Sequence, residues 1–160
     1  PWVSPVVLLV NPQEDQVQEV IQHIPNALLQ FHGDESPAFC GQFKRPFLKA
    51  IRMKADTQLS AEAERFAQAQ GLLVDSWSEQ YGGTGHTFDW RWLDGYGEDH
   101  PPLILSGGLE AGNVGEAVKQ IQPYGVDVSS GVESQRGVKS LEKIAAFCQA
   151  VQAADWANRI

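Results

Sequence analysis

The chain has 160 residues, 42% hydrophobic and 20% charged, a composition that suits one domain, residues 1–160, with an apolar core. Its formal net charge is -8, and no basic stretch interleaved with aromatics occurs, which argues against nucleic acid or an anionic membrane as a partner. A bound phosphate would therefore be held by backbone N–H groups and helix N-termini rather than by a field of Lys and Arg. No apolar run approaches the length of a membrane span, and the first residues lack the pattern of a secretory signal, so a cytoplasmic location is expected. Cys40 and Cys148 share no metal-type or redox-type spacing, and both fall in apolar, helix-like stretches; two reduced, buried thiols are expected.

The elements alternate along the chain. PVVLLV (Pro5 to Val10) is a short β-branched run that predicts a strand, and EDQVQEVIQHI places Val17, Val20, Ile21 and Ile24 at helical spacing. ALLQF (Ala27 to Phe31) is a second strand, and DESPAFCGQF begins like a helix with Asp34 or Ser36 near its start. PFLKAIRM is a third strand. LSAEAERFAQAQG predicts a helix with Leu59, Ala63, Phe66, Ala67 and Ala69 at its apolar positions and Gly71 as its stop. LLVD is a fourth strand, DWRWLDGYG at most a short helix, and PPLILSGG a fifth strand. AGNVGEAVKQIQ is a helix with Asn113 at its N-cap, GVDVSSG a sixth strand, and the closing stretch an amphipathic helix with Leu141, Ile144, Ala145, Cys148 and Val151 on one face.

Six strand–helix units in alternation, with short, continuous apolar strands, predict an α/β fold whose parallel strands are covered on both faces. A doubly wound open sheet and a (β/α)8 barrel both suit this pattern. In either, function gathers at the C-terminal ends of the strands. Standing there are His32, Arg52 with Lys54, Asp75, Ser106 with Gly107 and Gly108, and Asp127 with Ser129, Ser130, Gly131 and Glu133. Glycines at such ends let backbone N–H groups approach a ligand closely. GGTGHT has neither Walker nor dinucleotide spacing, so the long excursion from Ser76 to Phe88 suits a loop that closes over a ligand. Two successive glycine turns, SGGL and SSGVE, suit the phosphate-binding loops after the last two strands of a barrel, which favours the barrel.

LLQFHGDESPAFC, LLVDSWSEQYGGTGHTFDW, LILSGGLEAGNV and VDVSSGVESQRGVKSLEKIAAF together closely resemble phosphoribosylanthranilate isomerase of tryptophan biosynthesis, in the family's order and spacing over essentially the whole chain. The resemblance implies a TIM barrel, which needs at least about 200 residues. Val6–Val10 then aligns with the third barrel strand and Val126–Ser129 with the eighth. The chain opens on Pro1 and enters a strand-like run at once. An incomplete barrel, units three to eight, is therefore expected, without the first-strand Cys that serves the family as general base and without a substrate-binding Arg near the end of strand two.

The implied reaction is an Amadori rearrangement of N-(5-phosphoribosyl)anthranilate to 1-(2-carboxyphenylamino)-1-deoxyribulose 5-phosphate, an aldose–ketose isomerisation that needs no metal and no organic cofactor. Asp75 matches the general acid and must hold a proton in order to donate it. His32 and Asp127 match substrate-lining positions. Gly83, Gly85, Gly107, Gly108, Ser129, Ser130 and Gly131 match the phosphate cradle. His86 is assigned no role, and Arg136 is expected in solvent. The implied partner is a small phosphorylated substrate, and the complete protein would be a monomer or homodimer. With its base missing, the isolated chain is expected to be inactive. The competing readings are another phosphosugar barrel of the histidine and tryptophan pathways, from which the strand-six motif separates it, and a non-catalytic fragment or pseudoenzyme.

Overall fold

The computed structural model describes residues 3–76, 87–97 and 99–158. Six parallel strands form one sheet in sequential order: β1 (Val6–Leu9), β2 (Leu28–Phe31), β3 (Phe47–Met53), β4 (Gly71–Ser76), β5 (Leu103–Leu105) and β6 (Gly125–Val126). Helices α1 (Glu14–His23), α2 (Pro37–Gly41), α3 (Leu59–Arg65) and α4 (Val114–Ile121) lie between strands, and α5 (Leu141–Asn158) closes the chain. Between β4 and β5 the described residues form one 3₁₀ turn, Trp90–Leu93, started by Asp89, whose carboxylate accepts from the Arg91 N–H at 3.1 Å. A doubly wound sheet reverses its strand order at a switch point, and this one never does. Sequential order with right-handed crossovers keeps the helices on one side, as in a curling barrel wall.

The strand residues divide by alternation. Leu29, Phe31, Phe47, Ile51, Met53, Leu72, Val74 and Leu105 pack in one buried cluster with Val17, Cys40, Ala63 and Ala117 from the helices and Phe66 just after α3. Phe31, Phe39, Phe43 and Phe47 fill its β2–α2 corner, with ring centroids 5.3–6.0 Å apart in the edge-to-face pairs. The register places the alternate set, including Leu8, Gln30, Leu48, Ala50, Leu73, Asp75 and Ile104, on the inner face. Local chemistry starts the helices. The Ser36 hydroxyl accepts the Phe39 N–H at 3.2 Å with Pro37 behind it, and Gln13 and Gln16 cap α1 reciprocally.

Several expectations are corrected. Coverage on both faces holds for β3 and β4 but not for the edge strand β1, where Val6 is 48% and Leu8 55% exposed. Gly71 does not stop α3. The helix ends at Arg65, Ala67 is exposed, and Gly71 opens β4, where a Cβ would come 3.0 Å from the Pro102 carbonyl oxygen. In α5 the packed face is Ile144, Phe147, Ala150, Val151 and Ala154, turned toward α4; Leu141, Ala145 and Cys148 face away. Apolar residues ring this helix, so periodicity alone does not single out one face. Cys148 is accordingly exposed, whereas Cys40 is fully buried. Finally, a hairpin unforeseen from the sequence, β7 (Glu133–Gln135) with β8 (Val138–Lys139), turns at Arg136–Gly137, where Gly137 takes φ 81° and Arg136 is exposed.

Candidate active site

The inner face becomes polar at the C-terminal strand ends. Gln30 and His32 are two residues apart on β2 and its exit, so both side chains point inward. Gln30 Nε2 lies 3.1 Å from His32 Nδ1, and His32 Nε2 lies 3.3 Å from Asp75 Oδ2 at the end of β4. All three are largely buried, the Asp75 side chain being 13% exposed. Arg52 stands beside Asp75 in register and donates to Asp34 at 2.6 Å. On the far side the Ser106 hydroxyl donates to Asp127 Oδ2 at 3.0 Å, which ties the exits of β5 and β6 together.

The loop carrying His32 is fixed from beneath. Lys49, buried on the outer face of β3, donates from Nζ to the Gly33 carbonyl at 2.7 Å, to Phe31 and Ala50 carbonyls, and to Glu35 at 3.2 Å, with the Phe66 ring 5.6 Å away. Glu35 also accepts the Gly33 N–H at 3.0 Å and the Asn11 N–H at 2.8 Å, and the Asn11 side chain accepts the Asp34 N–H. A buried ion pair so fully hydrogen-bonded is tolerated where an unpaired charge would not be. A cleft of about 570 Å³ opens between β3 and α3 on this side; its lining includes Lys49, Arg52 and Glu62 but neither Asp75 nor Asp127.

The two glycine turns meet next to Asp75. Gly107 (φ 85°) and Gly108 (φ 65°) both require the left-handed region. A Cβ on Gly107 would come 2.5 Å from the Ser76 nitrogen and 2.9 Å from Asp75 Oδ1, so Ser76 and that oxygen occupy the space a side chain at position 107 would need. Asn113 occupies the N-cap of α4 as expected, but its side chain pins the turn instead, donating to the Gly108 carbonyl and accepting from the Glu110 N–H, each at 2.9 Å. Gly131, in the 3₁₀ turn Ser130–Val132, packs so closely on the Leu109 carbonyl that any Cβ would collide. Lys139 donates to the Ser129 carbonyl at 2.8 Å and to Glu133 at 2.9 Å, and this bond holds the Glu133 carboxyl below the ordinary range.

The structure thus brings together His32, Asp75, Gly107 and Gly108, and sets Asp127, Ser129, Ser130 and Gly131 at the adjoining strand exit. Gly83, Gly85 and His86 lie outside the described residues. Sequence reasoning missed Gln30, although its spacing from His32 placed both on one face. It also missed Lys139, which the hairpin brings back to Ser129 from ten residues away. Among the described residues no cluster of three or more His, Cys, Asp and Glu is placed to hold a metal. The arrangement can hold an anion on backbone amides and present a carboxyl group to the same ligand.

Residues 3–150 match the family profile of N-(5'phosphoribosyl)anthranilate (PRA) isomerase. The N-(5'-phosphoribosyl)anthranilate isomerase of Ralstonia nicotianae is 46% identical over 169 residues, covering 97% of this chain and 72% of that protein. Its counterpart from Dechloromonas aromatica is 46% identical, covering 97% of this chain and 74% of that protein. Among solved structures, the Thermotoga maritima enzyme superposes with a TM-score of 0.84 at 30% identity, covering 96% of this chain and 75% of that chain. A phosphoribosyl anthranilate isomerase in complex with reduced 1-(o-carboxyphenylamino)-1-deoxyribulose 5-phosphate superposes with a TM-score of 0.81 at 26% identity, covering 96% and 73%. With the strand order, the paired glycine turns and a family match along almost its whole length, the chain belongs to the N-(5'-phosphoribosyl)anthranilate isomerase family.

Proposed function

We propose that this chain serves the Amadori isomerisation of N-(5'-phosphoribosyl)anthranilate in tryptophan biosynthesis, with Asp75 as the general acid. The observation that carries the assignment is the position of the Asp75 carboxyl, one oxygen bonded to His32 and the other against the Gly107 turn. The substrate's phosphate rests on N–H groups of Gly107, Gly108, Ser129, Ser130 and Gly131. His32 and Asp127 line the remainder of the substrate. Asp75 protonates the ribose ring oxygen, the C1–O bond opens to a Schiff base, and loss of the C2 proton gives an enolamine that tautomerises to the ketone. A positioned acid of this kind contributes about 10²–10⁴-fold.

Cys40 is buried among the helices and Cys148 is exposed on α5, so neither thiol is placed to take the C2 proton beside Asp75. We place that base on a further strand, the six strands here corresponding to units three to eight of a (β/α)8 barrel. On this reading residues 1–160 form part of one cytoplasmic domain, a monomer or homodimer when complete. The 160-residue polypeptide is expected to bind reduced 1-(o-carboxyphenylamino)-1-deoxyribulose 5-phosphate, read by calorimetry, while showing no turnover above an Asp75→Asn control. Absent binding sinks the substrate assignment, and measurable turnover sinks the placement of the base.

A further inference from the structure

An acid that must keep its proton sits 3.3 Å from an imidazole, a group basic enough to take it. If His32 became an imidazolium beside an Asp75 carboxylate, the site would hold the right groups in the wrong protonation state. The second nitrogen of the ring decides the matter. Asp75 Oδ2 can accept a hydrogen from His32 Nε2 whether the carboxyl is ionised or carries its proton on Oδ1. His32 Nδ1 faces the amide nitrogen of Gln30 at 3.1 Å, and that NH₂ group only donates. A ring with a lone pair at Nδ1 satisfies both neighbours. An imidazolium would set an N–H against an N–H in a place where Gln30 and His32 are each 7% exposed and water is nearly excluded.

We propose that Gln30 is a positioning residue that locks His32 in the neutral Nε2–H form, so that the catalytic proton stays on Asp75; this rests on Asp75 acting as the acid. The lock also distinguishes the two carboxyl oxygens. Oδ2 accepts from His32 whether Asp75 is charged or neutral, so the ring need not turn during a catalytic cycle. Oδ1, on the side of the Gly107 turn, is left to carry the transferable proton.

Two-dimensional ¹H–¹⁵N NMR of the imidazole rings reads the tautomer directly in the 160-residue chain without turnover. The four histidines are separated by comparison with His32→Asn. At pH 8 the wild-type His32 ring is expected to show one N–H nitrogen, Nε2, and one lone-pair nitrogen, Nδ1. Gln30→Glu replaces the donor by an acceptor, and the lone-pair signal of His32 is expected to be lost as the ring becomes imidazolium. Gln30→Leu removes the donor without adding a charge, and a hydrogen at Nδ1 beside the one kept at Nε2 is expected. A wild-type ring already in the Nδ1–H or imidazolium form overturns the proposal, as does an unchanged ring in whichever variants retain the wild-type circular dichroism. If the product analogue fails to bind while these shifts appear, the functional reading fails and the tautomer lock stands.

Discussion

Three residues show how environment sets chemistry in this chain. Burial pushes the Cys40 thiol up to about 12, so it stays protonated in the folded state long after the unfolded thiol, near 9.0, has ionised. Between these values the unfolded state binds fewer protons, and stability falls as pH rises, by at most about 1.4 kcal/mol per unit. Urea midpoints measured above pH 9 should therefore drop, and Cys40→Ala should flatten the first part of that drop. Cys148 is exposed, so a thiol reagent should modify one cysteine in the native chain and both after denaturation. Gly107 is constrained twice, by φ 85° and by its approach to Ser76 and Asp75. Gly107→Ala should lower affinity for the phosphorylated analogue at least about tenfold, the equivalent of one lost hydrogen bond of about 1.4 kcal/mol; unchanged affinity would remove that turn from the cradle.

At the scale of elements, the site depends on what lies behind it. The His32 loop owes its position to the Lys49–Glu35 pair, which links β3, the exit of β2 and the end of β1. Lys49→Met should destabilise the fold by about 3–5 kcal/mol, because it leaves the Glu35 carboxylate buried without its cation. Lys49→Met with Glu35→Leu should recover part of that loss in the same urea titration; a double variant as unstable as the single one would show that the carbonyl contacts of Lys49 matter more than the charge. In α5, Phe147 is the anchor against α4, and Phe147→Ala should cost about 3 kcal/mol, whereas Leu141→Ala, 84% exposed in the wild type, should cost under about 0.5.

On the scale of the whole molecule, among the described residues the six-stranded sheet ends at β1 and β6, and the β1 edge is apolar on its inner face at Val6 and Leu8. An edge of this kind offers unpaired backbone groups together with hydrophobic surface. The 160-residue chain should accordingly self-associate as its concentration rises, and Val6→Thr with Leu8→Lys should weaken this in light scattering. Equal scattering by both proteins would show that association, if present, runs through another surface.

Much of this was legible in the sequence because its causes are local. Apolar runs such as PVVLLV and PFLKAIRM have the length and apolar content of buried strands, and Ser36–Pro37 starts a helix with its own atoms. The family motifs, including Asp75 at the end of its apolar run, lie in continuous stretches of chain. The causes of the remainder act at long range. Alternation could put Gln30 and His32 on one face, but only pairing of β2 to β3 and β3 to β4 brings them to Asp75, 43 residues away. The exposure of Val6 and Leu8 follows from β1 standing at an edge, and the buried side of α5 follows from where α4 lies. A sequence specifies which side chains an element presents; the sheet that pairs the elements decides which of them meet, and hence which nitrogen of His32 faces an acid.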